Sequence, residues 1–255
     1  MLIDWGNTNQ KYHQVDTLAE VIKGAQIGDA EIAHSHERLV TLSADTGVGE
    51  VLVASVRSDE DNQKLIQAFS KRGLTPFFAK TTRSFDDIRC GYDQPSSLGI
   101  DRWLTIIAAC QTEQTVGIID IGSAITLDIV RAKVHLGGHI LPGERLVKNS
   151  LLNTANVQVQ HRAPQNGTQF KIGQSTKECV DTGIEQMVAG YLVNSVNQAA
   201  LNYGVKKWFL TGGGGEFWSE WLIKYIGSES QLRFEHKPNL VFQGLAQIFI
   251  PKFIK

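Results

Sequence analysis

Two stretches carry the same order of residue types. Near the start, an apolar run ends in Asp4-Trp5-Gly6-Asn7-Thr8, with Lys11 just beyond. In the middle, "TVGIIDIGSAITLDIV" runs through apolar residues to Asp120-Ile121-Gly122-Ser123-Ala124, with Thr126 on the return. Each places a carboxylate, a glycine and a hydroxyl at one turn. A triphosphate asks for these groups: N–H and hydroxyl donors for its oxygens, glycine where a Cβ would collide with it, and carboxylates for the cations that neutralise it. A single Asp-x-Gly turn is also an ordinary hairpin turn. Two of them, each early in a similar half of the chain and facing each other, would hold the phosphates from both sides. Lys11 is either a further phosphate contact or a solvated strand lysine.

Two more stretches complete the candidate chemistry. "GYDQPSSLGIDRW" sets Asp101 at the front of a helix, just after Gly99. Such an aspartate is either an N-cap or a base that takes the proton of an attacking hydroxyl. An aspartate with a pKa of about 4 suffices for the second role, because in a loose phosphoryl-transfer transition state the alcohol loses its proton late. Arg102 beside it meets an anionic substrate or the moving phosphoryl group, or makes a surface ion pair. "FLTGGGGEFW" puts four glycines between a strand and a helix. It is neither a Walker A loop nor a Rossmann fingerprint. It is a flexible loop, or a place where a nucleotide base or ribose lies against the main chain.

The elements that must position these residues read as two copies of one scheme, strands first and then alternating helix and strand. In the first half, Met1 to Trp5 is a strand with Lys11 to Val15 as its hairpin partner. "EVLVASV" and "TPFFAKT" are strands, and "SDEDNQKLIQAFSKRG" and "GIDRWLTIIAAC" are helices with acid-first, base-last and apolar-face signals. In the second half, Val116 to Ile121 and Ala124 to Val130 form a hairpin, continued by "VHLGGHI". Helices follow at "ERLVKNSLLNTA" and Lys177 to Tyr203, where Val180, Ile184, Met187 and Tyr191 step at helical spacing. "VKKWFL" is a strand, and "EFWSEWLIKYI" and "NLVFQGLAQIFI" are helices. The boundary is expected at Gln111 to Gln114, giving domains 1–112 and 113–255 that pack across a cleft.

Composition narrows the options. With 255 residues, 42% hydrophobic and 20% charged, the chain suits an ordinary globular protein, α/β by its alternating elements, and its formal net charge of -1 leaves no basic surplus for a nucleic acid backbone. No apolar run is long enough to span a bilayer, and Asp4 stands where a signal peptide would be basic and then apolar. The three scattered cysteines, Cys90, Cys110 and Cys179, show neither metal spacing nor a disulfide framework, so a cytoplasmic location is expected. The pairs His34/His36 and His135/His139 are not expected to make a metal site.

Taken together, these motifs resemble a known family. Asp-x-Gly-Asn-Thr-x-x-Lys at 4–11, Tyr92 with Pro95, Gly-x-Asp-Arg at 99–102, the Asp120 hairpin, "LGGHILPG", "IGQST" and "PNLVFQGL" are similar to type III pantothenate kinase, from Asp4 to about Leu245. The resemblance implies a duplicated ribonuclease-H-like (actin-like ATPase) fold with the active site in the cleft between its halves. It implies transfer of the ATP γ-phosphoryl group to pantothenate, the committing step of coenzyme A synthesis. By the same resemblance Asp4, Gly6, Asn7, Thr8, Lys11 and Ser123 bind ATP, with Asp4 near Mg2+ through water. Asp120 holds a monovalent cation, K+ or NH4+. Tyr92, Gly99, Ile100, Asp101, Arg102 and Thr176 contact pantothenate, with Asp101 as base. Members are homodimers whose pantothenate pocket the partner subunit completes, and the helix from Lys177 is the candidate interface.

The chain departs from the family pattern at four places. Ser123 stands for the usual threonine, Ser175 for a frequent asparagine, Arg131-Ala132-Lys133 lacks the usual turn glycine, and "TGGGGEFW" diverges after its first glycines. Two rival readings are another small-molecule kinase on the same fold and a non-catalytic ATP-binding regulator. The candidate base and its neighbours Tyr92 and Arg102 argue against the regulator.

Overall fold

The computed structural model describes residues 1–6, 10–16, 18, 21, 31–33, 38–41, 47–110, 115–155, 171–227 and 230–253. The expected domain boundary at 111–114, His34, His36, Asn7 and Thr8 lie outside the described residues. The chain divides into two compact units, one of Met1–Thr112, Lys133–Leu136 and Asn239–Lys255, the other of Glu113–Ala132 and Gly137–Pro238.

The first unit is built on strands β1 (Leu2–Trp5), β2 (Gln10–His13), β3 (Glu31–Ala33), β4 (Val51–Ser55) and β5 (Pro76–Phe78), in the order β3-β2-β1-β4-β5. β1, β2 and β3 pair antiparallel, whereas β4 joins β1 and β5 joins β4 in parallel. Val51 to Ala54 are all buried, as befits a strand covered on both faces. Helix α1 (Asp59–Ser70) starts at Ser58, whose hydroxyl accepts from the Asp61 N–H. Asp59, Glu60 and Asp61 complement its positive end, while Leu65 and Phe69, four apart, face the core. A hairpin of β6 (Ser84–Phe85) and β7 (Ile88–Arg89), too short to read from alternation, precedes helix α2 (Ile100–Ala109).

The second unit repeats the plan. Its strands are β8 (Thr115–Ile121), β9 (Ala124–Arg131), β10 (Val134–Pro142), β11 (Lys207–Thr211) and β12 (Arg233–His236), with helices α3 (Glu144–Ala155), α4 (Thr176–Tyr203) and α5 (Gly215–Ile226) between them. The order β12-β11-β8-β9-β10 is that of the first sheet with β8 in the place of β1. β8 and β9 are antiparallel, while β11 lies parallel to β8 and β12 to β11. β12 was not expected from the sequence. The first residues of β10 are grouped with the first unit, where Val134 pairs with Arg89 of β7.

Helix α4 differs from expectation in its facing. Ile184, Val188, Leu192, Val196 and Ala199 form the buried stripe, and Met187 lies off it, 46% exposed. The stripe steps mainly by four, so it drifts around the helix away from Met187. The turn Arg131-Ala132-Lys133 is also informative, because Ala132 and Lys133 both have positive φ, 48° and 63°. A left-handed alanine costs about 1–2 kcal/mol, and glycine's extra unfolded-state entropy returns about 0.5–1 kcal/mol of that. Ala132→Gly is therefore expected to stabilise the protein by about 0.5–1 kcal/mol, read as a higher urea midpoint with unchanged slope. An unchanged or lower midpoint would count against strain in this turn.

The last helix, α6 (Leu240–Phe253), packs with the first unit rather than with the residues that precede it. The units are therefore not two contiguous halves, and the 113–255 grouping read from the sequence gives up Lys133–Leu136 and Asn239 onward. The physical cause is a close helix crossing. A Cβ on Gly244 would stand 2.1 Å from the Leu104 carbonyl oxygen of α2, so only glycine allows the approach. The start of the helix is tied down by a 2.9 Å hydrogen bond between Asn239 Oδ1 and His13 Nε2. Phe242 meets the His13 ring edge-on at 4.7 Å.

Candidate active site

The first Asp-x-Gly turn leaves β1 at the C-terminal edge of the parallel pair β1–β4, the edge at which α/β sheets bind ligands. Antiparallel register sets Asp4 directly opposite Lys11. Directly opposed residues share one face of the sheet, so the carboxylate and the ammonium belong to the same side of the hairpin. Asp4, Gly6 and Lys11 are all half-buried.

The second candidate group lies on the loop before α2 and on its first turn. Gly99 is the N-cap, without a side-chain capping bond, and Asp101 stands one residue inside the helix. The capping alternative for Asp101 is thereby set aside. Asp101 Oδ1 accepts the Arg102 backbone N–H at 2.8 Å, and a Cβ on Gly99 would sit 2.5 Å from that oxygen. Gly99 is thus the residue that lets the carboxylate fold back over the helix start. Arg102 is 5% exposed, so a solvated surface ion pair is not its role. Its Nη1 donates to the Tyr92 hydroxyl at 2.9 Å, and its guanidinium lies 5.7 Å from that ring's centre. Ile100 is 7% exposed and belongs to the core, which leaves its main chain for any ligand contact.

Tyr92 is held from a second side by His135, ring stacked on ring at 5.8 Å. Gly91 makes the approach possible, since a Cβ there would fall 2.0 Å from the His135 carbonyl oxygen. Neither Gly91 nor His135 was singled out for this role. The only available sign was a glycine next to a tyrosine. Gly91, Tyr92, Asp93, Gln94 and Ser97 line an open depression of about 470 Å³, a size suited to a small polar molecule.

In the second unit the hairpin turn is tight. Asp120 pairs with Thr126 across it and with Thr211 of β11 on the other side. Two glycine-bearing loops seat on this turn. The Gly143 N–H donates to the Ser123 carbonyl at 3.0 Å, and the Gly214 N–H donates to the Ile121 carbonyl at 2.9 Å. A Cβ on Gly143 would meet the Gly122 carbonyl at 2.3 Å, and one on Gly212 the Asp120 Oδ1 at 2.3 Å. The glycine-rich stretch is therefore docked, and the starts of α3 and α5 are brought to the same turn. Ser123 is exposed at its tip.

Thr176 is the first residue of α4, exposed, with Ser175 as the N-cap accepting from the Glu178 N–H. An asparagine caps equally well, so the departure at 175 keeps the local structure. The first turns of α4 are anchored to α3 by Lys148, 5% exposed, which donates to Asp181, as Lys177 does at 3.0 Å. Burial pushes the Asp181 carboxyl up, but the hydrogen bonds from Lys148 and Lys177 outweigh it and hold it below its ordinary value. A depressed carboxyl stabilises the fold above its unfolded pKa and loses that contribution as pH falls through the folded one. Asp181→Asn is expected to cost about 1–3 kcal/mol at pH 7 and less at pH 3, below the ordinary aspartate value. Urea unfolding at both pH values checks this, and an equal loss at the two would remove the ionic explanation.

The donor sets suit the cations expected here. Asp120 Oδ1 occupies a cradle that a Gly212 Cβ would fill, with the main-chain carbonyl of Ile121 against the same glycine. Carboxylate and carbonyl oxygens are the ligands a monovalent cation takes. Among the described residues no group of three His, Cys, Asp or Glu side chains could hold a metal. Asp4 alone fits a magnesium ion held mainly by phosphate and water.

Comparison with known proteins follows the same lines. Residues 1–198 match the family model described as type III pantothenate kinase. Relatives carrying that name include one from Acinetobacter baumannii strain ACICU, 30% identical over 88% of both chains. Another, from Pseudomonas putida, is 30% identical over 96% of both chains. One from Cellvibrio japonicus is 32% identical over 83% of this chain and 84% of its own. Among solved structures, a protein of Campylobacter jejuni assigned to the Baf family of transcriptional activators superposes with a TM-score of 0.59 at 20% identity, over 98% of both chains. A Sinorhizobium meliloti protein assigned as a 2-dehydro-3-deoxygalactonokinase gives 0.57 at 8% identity, over 99% of this chain and 98% of its own. At such identities these two bear on the fold alone, which they share with this chain over nearly its whole length.

Proposed function

Because this chain belongs to the type III pantothenate kinase family, we propose a division of labour among its residues for that reaction. The activity is transfer of the ATP γ-phosphoryl group to the 4′-hydroxyl of pantothenate, the first step of coenzyme A biosynthesis. Asp4, Gly6, Asn7, Thr8, Lys11 and Ser123 hold the phosphates of ATP. Asp101 accepts the proton of the pantothenate hydroxyl as its oxygen bonds to the γ-phosphorus and the bond to the β,γ-bridging oxygen breaks, releasing ADP. Arg102 takes no part in the proton transfer; it fixes Tyr92, through the hydroxyl it donates to, against the depression that receives pantothenate. Gly99 and the Ile100 main chain shape that loop, and Thr176 reaches the substrate from the start of α4.

Asp4 would hold Mg2+ through water, and Asp120 would hold K+ or NH4+. When bound, these cations neutralise the phosphate charge that this chain, with its net charge of -1, cannot offset in bulk. The protein works in the cytoplasm as a homodimer. Exposed apolar side chains on β10, α3 and α4, among them Ile140, Leu146, Leu151 and Met187, supply the interface. No helix among the described residues is long and apolar enough to cross a membrane.

The observation that carries this reading is that the match over residues 1–198 contains every residue given a role. The test is a coupled assay of ADP release with pantothenate, run with K+, with NH4+ and with neither. Pantothenate-dependent ADP release that rises with one of these ions is expected. Turnover of a sugar but not of pantothenate would replace the substrate, and ATP binding without transfer to any acceptor would replace the enzyme by a regulator.

A further inference from the structure

We propose that Arg57 is a positioning residue for the first phosphate turn, holding Gly6 in the conformation that receives ATP. The inference rests on the kinase reading above and goes beyond the residues it used. β4 runs parallel to β1 with Ser55 beside Trp5, and the Val56 N–H donates to the Trp5 carbonyl at 3.4 Å. The chain leaving β4 therefore follows the chain leaving β1 for one more residue, and this delivers Arg57 to Gly6. Arg57 Nε donates to the Gly6 carbonyl at 2.9 Å.

The guanidinium is itself fixed. It lies 5.6 Å from the centre of the Trp5 ring, and Nη1 stands 3.6 Å from Asp61 Oδ2. The main chain of Arg57 is clamped as well, with its N–H on the Ser55 hydroxyl at 3.2 Å and its carbonyl on Asn62 Nδ2 at 3.5 Å. The Ser55 hydroxyl also donates to Asn62 Oδ1 at 2.6 Å. The side chain is 24% exposed.

The ion pair with Asp61, made from one residue before the Ser58 N-cap, would be an ordinary stabiliser of the start of α1. The bond to Gly6 is not, because it spans 51 residues and contributes nothing to that helix. Glycine has the widest backbone freedom of any residue, and a phosphate turn works only when its donors are already in place. Gripping the carbonyl of Gly6 sets the plane of the peptide that leaves it, because that unit is rigid.

Three substitutions separate this role from a contribution of charge. Arg57→Gln keeps an N–H donor at the same point along the side chain and removes the charge. Arg57→Lys keeps the charge and puts a methylene where Nε stood. Arg57→Ala removes both. The Ala and Lys variants are expected to raise KM for ATP about ten-fold with KM for pantothenate unchanged, while the Gln variant stays within about three-fold of wild type. A Lys variant like wild type beside a Gln variant like Ala would overturn positioning in favour of charge. Unmoved KM for ATP in all three, with only a lower Tm, would overturn it in favour of a structural role. Calorimetric titration of the same four proteins with a non-hydrolysable ATP analogue reads Arg57 without pantothenate. If wild type transferred nothing to pantothenate, the kinase reading would fail while this titration still judged Arg57.

Discussion

Asp101→Asn is expected to lower kcat with pantothenate about 10²–10⁴-fold while KM for ATP stays within about two-fold. The substitution keeps an oxygen that can accept the Arg102 N–H, the contact Asp101 makes at 2.8 Å, so the start of α2 should survive. What it removes is the group that takes the proton. Because phosphoryl transfer is governed by positioning as much as by basicity, the lower half of that range is the sharper expectation. Steady-state kinetics at saturating ATP, with calorimetry for ATP affinity, decide the matter. Activity equal to wild type would strip Asp101 of its role. A parallel loss of ATP affinity would make it a nucleotide ligand instead.

The second large effect is expected at Gly212. Its φ of 81° is unfavourable for any other residue, and an added Cβ would stand 2.3 Å from Asp120 Oδ1 and 2.6 Å from the Ile121 carbonyl. The strain and the collision together should cost about 2–4 kcal/mol, lowering Tm by roughly 5–12 °C. With the monovalent cation at Asp120 as proposed, Gly212→Ala should also abolish activation by K+, because the loop cannot stay seated without moving the Asp120 carboxylate. Gly213 provides the control, since a Cβ there would meet nothing within 4 Å, and its alanine variant should stay within about 0.5 kcal/mol of wild type. A Gly212→Ala protein with normal Tm and normal K+ response would mean that the glycine-rich stretch is a loose loop after all.

Both experiments probe residues visible in the sequence whose partners were not. The Asp-x-Gly turns could be read because a carboxylate, a glycine and a hydroxyl after an apolar run are local chemistry. The duplication could be read because strand and helix periodicities also live within a few neighbours. The twofold sheet order β3-β2-β1-β4-β5 and β10-β9-β8-β11-β12 agrees with that reading. β3, β6, β7 and β12 escaped it, being two to four residues long with no apolar run or turn signal to mark them.

By itself, then, the sequence determined most of the element types, the two Asp-x-Gly turns, the helix that carries Asp101 in its first turn and the family. The tertiary structure alone decided whether Asp101 caps that helix and whether Arg102 meets solvent. It alone showed that Gly212 seats on Asp120, that Arg57 grips Gly6, and that the last helix joins the first unit. The reason is separation along the chain. His13 and Asn239 lie 226 residues apart and Gly6 and Arg57 lie 51 apart. No local pattern encodes which distant side chain or backbone atom will arrive at a given carbonyl; that is settled only when strand order and close glycine contacts bring them within reach.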